Sequence, residues 1–173
     1  MAINIRLLRS FARRYLVLFP GIVACSFLML PDLNARAQTA PNSKSEAAIR
    51  AVIEAQAAAW NRGDVEGYMD GYDRSPNTEF VSGDNITRGW QQVLDRYKQR
   101  YNTRDKMGVL TFSDLEITVL SSDAALVLGR WRLQRVVTSS QRIDNEPHGT
   151  FTLLFRKTKA GWRIVHDHTS SAS

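Results

Sequence analysis

Beyond residue 37 the chain has no cysteine; its only one is Cys25. Residues 38–173 therefore form no disulfide, no thiolate metal site and no cysteine nucleophile. Histidine is nearly as scarce, with three in the whole chain. There is no Gly-x-Ser-x-Gly elbow, no phosphate loop, no dinucleotide fingerprint and no His-Glu-x-x-His helix. Those gaps set aside nucleophile-elbow hydrolysis, P-loop chemistry, nicotinamide or flavin binding of the Rossmann type, and zincin catalysis. No cofactor is expected.

A basic body is missing too. The formal net charge is +6, yet residues 1–37 hold Arg6, Arg9, Arg13, Arg14 and Arg36 against Asp32 alone, a balance of +4. The rest of the chain has 18 basic and 16 acidic side chains, a balance of +2. A charge confined to one end gives no reason to expect a nucleic acid as partner. Apolar residues make up 43% of the chain, enough for a packed core and too many for a disordered chain.

The chain also lacks an unbroken membrane-length apolar run. Tyr15 to Leu30 is apolar but is interrupted by Pro20-Gly21, whereas a spanning helix needs roughly 20 consecutive apolar residues. A basic segment ending in Ala12-Arg13-Arg14 precedes this run, and Ala35-Arg36-Ala37 follows it with small residues at −3 and −1. That three-part pattern reads as a signal peptide over 1–37 and an exported protein, periplasmic or secreted, whose only membrane contact is the leader. A retained anchor is one competing reading. Another is a lipoprotein anchored through Cys25, because Ile22-Val23-Ala24-Cys25 has the form of a lipobox. Against that, Ser26-Phe27-Leu28-Met29-Leu30 stays apolar where a lipoprotein tether is usually polar.

After the leader, 38–44 reads as a polar, proline-containing linker, and 45–173 as one domain. Ser43-Lys44-Ser45-Glu46 has the form of a capping box opening a helix. Ile49, Val52, Ile53 and Trp60 follow at helical spacing, and Gly63 is placed to close that helix. Asp64 is placed to cap a short helix carrying Val65, Tyr68, Met69 and Tyr72 on one face. Thr78 to Val81 reads as a brief strand, and Trp90, Val93, Leu94, Tyr97 and Tyr101 mark a third amphipathic helix. Four strand candidates come next: Met107–Leu120, Ala124–Thr138, His148–Lys157 and Trp162–Thr169. Short connections between them predict antiparallel neighbours. The expected fold class is α+β: a cone-like domain with N-terminal helices packed on a strongly curved antiparallel sheet.

Three features carry the search for a site. Gln56 lies on the apolar stripe of helix one, so it faces either a neighbouring backbone group or a wet cavity. In Ala124–Leu133, Val127, Gly129, Trp131 and Leu133 alternate with Leu126, Leu128, Arg130 and Arg132. The arginine face points outward, and Gly129 beside Trp131 makes room for a ring or a ligand. Near the C-terminus, alternation puts His166 and His168 on one face and Asp167 and Thr169 on the other. His-x-His is half of a zinc site, but a site needs a third ligand and His148 is the only other histidine; no metal is expected. Asp167 reads as a general base if its face is buried, or as a cap at the sheet edge.

Trp60-Asn61-Arg62-Gly63-Asp64 ending helix one, and Gly161-Trp162-Arg163-Ile164-Val165-His166-Asp167-His168-Thr169-Ser170 ending the chain, resemble the SnoaL-like and ketosteroid-isomerase-like superfamily. Its fold is the cone of nuclear transport factor 2, and the resemblance covers about residues 45–170. The ending is also similar to the association domain of calcium/calmodulin-dependent kinase. The resemblance implies a pocket between helices and sheet lined by Gln56, Trp60, Tyr72, Tyr97, Trp131, Asp167 and Thr169. It also implies homodimers or larger homo-oligomers through an outer face carrying Arg130, Arg132, His166 and His168. It does not carry isomerase chemistry across. The family's general-base aspartate falls near Val81, its oxyanion tyrosine near Gln56 and its protonated aspartate near Phe151. The expected function is an exported protein that binds an unidentified small molecule, with Asp167 as base if it is an enzyme. The alternative is a non-catalytic oligomeric interaction module whose working surface is the sheet.

Overall fold

The computed structural model describes residues 33–135 and 146–172, with side chains from residue 42 onward. The leader through residue 32, Cys25 included, lies outside the described residues. Helix α1 spans Leu33–Asn61, followed by α2 (Val65–Met69), β1 (Glu79–Ser82), β2 (Asn85–Arg88), α3 (Trp90–Arg100), α4 (Arg104–Met107), β3 (Val109–Val119), β4 (Ala124–Gln134), β5 (His148–Thr158) and β6 (Gly161–Thr169). Among the described residues no helix is long and apolar enough to cross a membrane.

The first helix begins upstream of its predicted cap. It runs without a break through 38–44, where the sequence suggests a linker. Leu33, Ala35, Ala37 and Ala40 favour a helix, and Pro41 removes one backbone bond within it. Its other end follows expectation. Gly63 adopts φ 89°, its N–H donates to Trp60 O, and the Asp64 N–H donates to Ala59 O. This is a Schellman closure, which requires a residue tolerant of the left-handed region. Arg104 from α4 donates to the carbonyls of Trp60 and Asn61, adding a second bond at Trp60 O and covering the Asn61 carbonyl at the helix end. Asp64 then caps α2, accepting from the Gly67 N–H at 2.7 Å.

The sheet order is β2-β1-β6-β5-β4-β3. From β3 to β6 every neighbour is antiparallel, as the hairpin-sized connections require for β3–β4 and β5–β6; β4 and β5 pair the same way although 13 residues separate them. One pairing corrects the all-antiparallel expectation: β1 runs parallel to β6. These two strands are far apart in the chain, so no hairpin dictates their direction, and the intervening helices and strands supply the crossover. Strand β2 and helix α4 carry too few apolar residues to stand out in the sequence. Residues 136–138 of the predicted strand Ala124–Thr138 lie outside the described residues.

Ile49, Ile53 and Trp60 of α1, Tyr68, Met69 and Tyr72, and Val93 and Leu94 of α3 pack on Val127, Leu133, Phe151, Leu153, Phe155, Trp162 and Ile164 from the inner face of the sheet. Two register shifts bend that sheet, one in β3 between Ser113 and Glu116 and one where Leu154 faces His166 while Phe155 faces Ile164. Each inserts an extra residue on one strand and increases the local twist.

Candidate functional site

Between the helices and the inner sheet face lies a cavity of about 100 Å³. Its wall is aromatic because three helical segments each turn rings toward the sheet. Trp60 of α1 meets Tyr68 edge-on at 5.2 Å and Tyr101 at 4.7 Å. Tyr68 and Tyr97 lie 5.3 Å apart, and Phe80 of β1 meets Tyr97 at 5.5 Å. Trp60 is held by a bond from its Nε1 to Met107 O, and Asn61 beside it clips helix to sheet. The Asn61 Nδ2 donates to Leu110 O at 3.0 Å while its Oδ1 accepts from the Leu110 N–H at 2.7 Å.

Asp167 projects into this wall, 3% exposed. Its place depends on the irregularity in β6. Trp162 and Ile164 point inward, so unbroken alternation would turn His166 inward as well. Val165 is the extra residue of the bulge, and after it the inward positions are Asp167 and Thr169. Asp167 then sits in register between Phe80 of β1 and Leu153 of β5, both apolar. Burial pushes its carboxyl up from the ordinary 3.8 to about 6, against the pull of hydrogen bonds from Tyr72 and Thr169. Tyr72 Oη donates to Oδ2 at 2.6 Å, and Thr169 Oγ1 donates to Oδ1 at 2.9 Å.

Tyr72 reaches Asp167 because its backbone is tied to the same strand. The Asp73 N–H donates to Ile164 O, and the Ile164 N–H donates to Gly71 O. Burial first, then the neighbouring Asp167 charge, raises the Tyr68 and Tyr72 hydroxyls above their ordinary value. Burial is also the leading cause of the same shift at Tyr97. All three therefore remain protonated donors near neutrality. A carboxylate that titrates near 6 beside protonated phenols in a mostly apolar chamber is equipped for proton transfer.

All seven residues singled out in the sequence, Gln56, Trp60, Tyr72, Tyr97, Trp131, Asp167 and Thr169, line the cavity. Their surroundings differ. Gln56 is 2% exposed, and its Nε2 donates to Tyr68 O at 3.0 Å. It packs against Gly71, where a Cβ would come within 2.4 Å of the glutamine side chain. Its amide nitrogen is thus engaged in joining α1 to α2. Trp131 is anchored through its Nε1 to Ser170 O. The space at Gly129 is taken by protein, since a Cβ there would lie 2.5 Å from the Phe151 ring and 2.8 Å from Leu115. The glycine accommodates a ring.

Sequence reasoning left out other lining residues, among them Tyr68, Phe80, Arg96 and Arg100. A signal existed for three of them. Tyr68 lies four positions before Tyr72, and each arginine immediately precedes a wall tyrosine, Tyr97 or Tyr101.

The histidines stand away from the chamber. His148 Nδ1 donates to Glu146 O, and His166 pairs with Glu79, while His168 borders a shallow outer compartment. Among the described residues no three His, Cys, Asp or Glu side chains converge as a metal site. On the outer face Arg130 pairs with Asp114 and Arg132 with Glu146. Leu126 and Leu128 beside them are 39% and 45% exposed.

Among curated proteins none matches the chain. Solved structures do. A nuclear transport factor 2-like protein of unknown function from Shewanella oneidensis MR-1 is 36% identical, over 72% of this chain and 98% of that one, with a TM-score of 0.65. Two distant sequences share the fold. One, provisionally assigned as a scytalone dehydratase, comes from Novosphingobium aromaticivorans DSM 12444, at 14% identity over 78% of this chain and 89% of that one, TM-score 0.67. The other is a ketosteroid isomerase-like protein from Erwinia carotovora atroseptica SCRI1043, at 20% identity over 73% and 95%, TM-score 0.58. The SnoaL-like domain profile matches residues 49–173. With a chamber closed by helices α1 to α3 over the bent sheet, and with that match over most of its length, this chain belongs to the SnoaL-like domain family and has the nuclear transport factor 2-like fold.

Proposed function

We propose that this protein binds a small, largely apolar molecule in the aromatic chamber and that Asp167 moves a proton on it. SnoaL-like and related folds often bind small molecules or act on them as enzymes. The observation that carries the reading is the Asp167 carboxyl, buried, raised to about 6 and held by Tyr72 and Thr169 on the chamber wall. Asp167 takes a proton from the bound molecule in its ionised form and returns it once protonated. The Tyr68 and Tyr97 hydroxyls, on the same wall, donate to an oxygen on which charge develops. The chamber's volume of about 100 Å³ suits a single ring or a short branched chain, well below the size of a drug-like site.

The test is hydrogen–deuterium exchange at carbon, followed by NMR in D2O with small cyclic ketones such as cyclohexanone and cyclohex-2-enone. The wild type is expected to exchange their α-protons faster than the Asp167→Asn variant. Equal rates in the two would remove the proton-transfer role.

Export belongs to the same proposal. The protein purified from its own host is expected to begin at Gln38, as intact-mass measurement would show; a lipidated Cys25 would favour the anchored form instead.

A second reading, an oligomeric interaction module, has one observation in its favour: exposed Leu126 and Leu128 on the outer face of β4. Light scattering after size exclusion tests it. A dimer dissociated by Leu128→Lys would support that reading, and a monomer at micromolar concentration would remove it.

A further inference from the structure

The chamber opens outward into a second, shallower compartment of about 390 Å³, and the two share Ser82, Arg96, Arg100, Thr169 and Ser171 in their walls. Two of these five shared residues are arginines, and no acidic side chain lines the outer compartment. Asp84, adjacent in the chain, accepts a hydrogen bond from Asn85 Nδ2.

Arg96 and Arg100 differ from six of the other surface arginines. Arg62, Arg74, Arg88, Arg130, Arg132 and Arg156 each pair with a carboxylate within 3.1 Å. Among the described residues Arg96 and Arg100 pair with none. Arg96 donates weakly to Thr87 Oγ1 at 3.3 Å. They stand one helical turn apart on α3, so their side chains are neighbours. Each guanidinium also lies over a ring at the chamber wall, Arg96 at 5.2 Å from the Phe80 centroid and Arg100 at 5.7 Å from Tyr101. Stacking of this kind orients the planar fork and leaves its N–H groups free for an anion.

We propose that Arg96 and Arg100 form an anion-binding rim, and that the natural ligand is a small acid whose apolar end enters the inner chamber while its carboxylate stays in the outer compartment. This rests on the small-molecule reading above and extends it to a substrate class. An arginine rim draws an acid in by its charge and holds the carboxylate by charge-assisted hydrogen bonds. The acid's own charge stays away from the buried Asp167 carboxylate, where a second negative charge would be unfavourable.

The experiment compares 3-phenylpropanoate with its neutral isostere 3-phenylpropanamide, read by quenching of Trp60 and Trp131 fluorescence and by calorimetry. Wild-type protein is expected to bind the acid at least about tenfold more tightly than the amide, a typical gain for charge-assisted hydrogen bonds. Rising salt should weaken the acid and leave the amide unchanged. Arg96→Gln/Arg100→Gln should remove the preference for the acid over the amide, whereas Arg156→Gln, a control for overall charge, should not. Equal binding of acid and amide by the wild type, or an unchanged preference in the double variant, would overturn the rim and leave the chamber reading standing. If neither probe binds, both readings fall.

Discussion

The Tyr72 hydroxyl donates to Asp167 Oδ2 at 2.6 Å across 95 residues of sequence. This one contact ties the segment after α2 to the floor of the chamber. It holds a carboxylate ready to ionise in surroundings that otherwise disfavour its charge.

Stability should depend on pH through Asp167. Its carboxyl titrates near 6 in the folded protein against an ordinary 3.8, so between those values the folded state binds more protons than the unfolded one. The contribution is fully present below about pH 4 and is lost as pH rises through 6. Two pH units at about 1.4 kcal/mol each set its scale at about 3 kcal/mol. Urea unfolding from pH 4 to 7 should show a decline in the wild type that Asp167→Asn lacks.

Tyr72→Phe should move the Asp167 titration upward. The phenol hydrogen bond favours the ionised carboxylate, so its loss leaves burial less opposed. Carbon-13 NMR of the Asp167 carboxyl would follow this directly, and the pH profile of ketone exchange should shift the same way. A downward shift would contradict the assigned direction. Thr169→Val should act in the same sense.

Gln56→Leu separates scaffold from site. It removes the bond from Gln56 to the Tyr68 carbonyl, which keeps only a longer one from the Gly71 N–H, a loss of about 0.5–1.5 kcal/mol. Chemical denaturation should register that loss. Ketone exchange per folded molecule should stay within about twofold of wild type, since the amide nitrogen already serves the backbone. A large drop would make Gln56 a ligand-contacting residue.

Asn61→Ala should destabilise the domain by about 1–3 kcal/mol, because it removes both bonds to Leu110 and leaves buried backbone groups without partners. Denaturant midpoints test this. Asn61→Asp keeps the acceptor for the Leu110 N–H but turns a second oxygen toward Leu110 O, so it should recover only part of the loss.

Gly129→Ala should cost about 1–3 kcal/mol through overpacking, as the new methyl meets the Phe151 ring at 2.5 Å. Phe151 lines the chamber, so its displacement should also weaken binding of 3-phenylpropanamide. Calorimetry on the folded variant separates the two effects.

Local chemistry made much of this legible from residues alone. The 3.6-residue spacing of Ile49, Ile53 and Trp60 named a helix and its buried face. Gly63 and Asp64 announced its end and the next cap, and two-residue alternation sorted Val127 and Leu133 from Arg130 and Arg132. These signals are short-range, so the chain displays them without the fold. Direction and face were less accessible. The parallel pairing of β1 with β6 joins residues about 87 apart in sequence, Glu79 with His166, and no turn between them announces it.

The site shows the same division. Sequence supplied a polar residue in an apolar stripe, a glycine near a tryptophan and an aspartate between two histidines. It left open whether Gln56 met backbone or cavity, whether Gly129 admitted a ring or a ligand, and whether Asp167 was buried. Tertiary structure decided each. Tyr68 O lies within reach of Gln56, Phe151 fills the space at Gly129, and the bulge at Val165 turns Asp167 inward between Phe80 and Leu153. A side chain's titration depends on what surrounds it in three dimensions. Those neighbours come from strands and helices that only folding brings together.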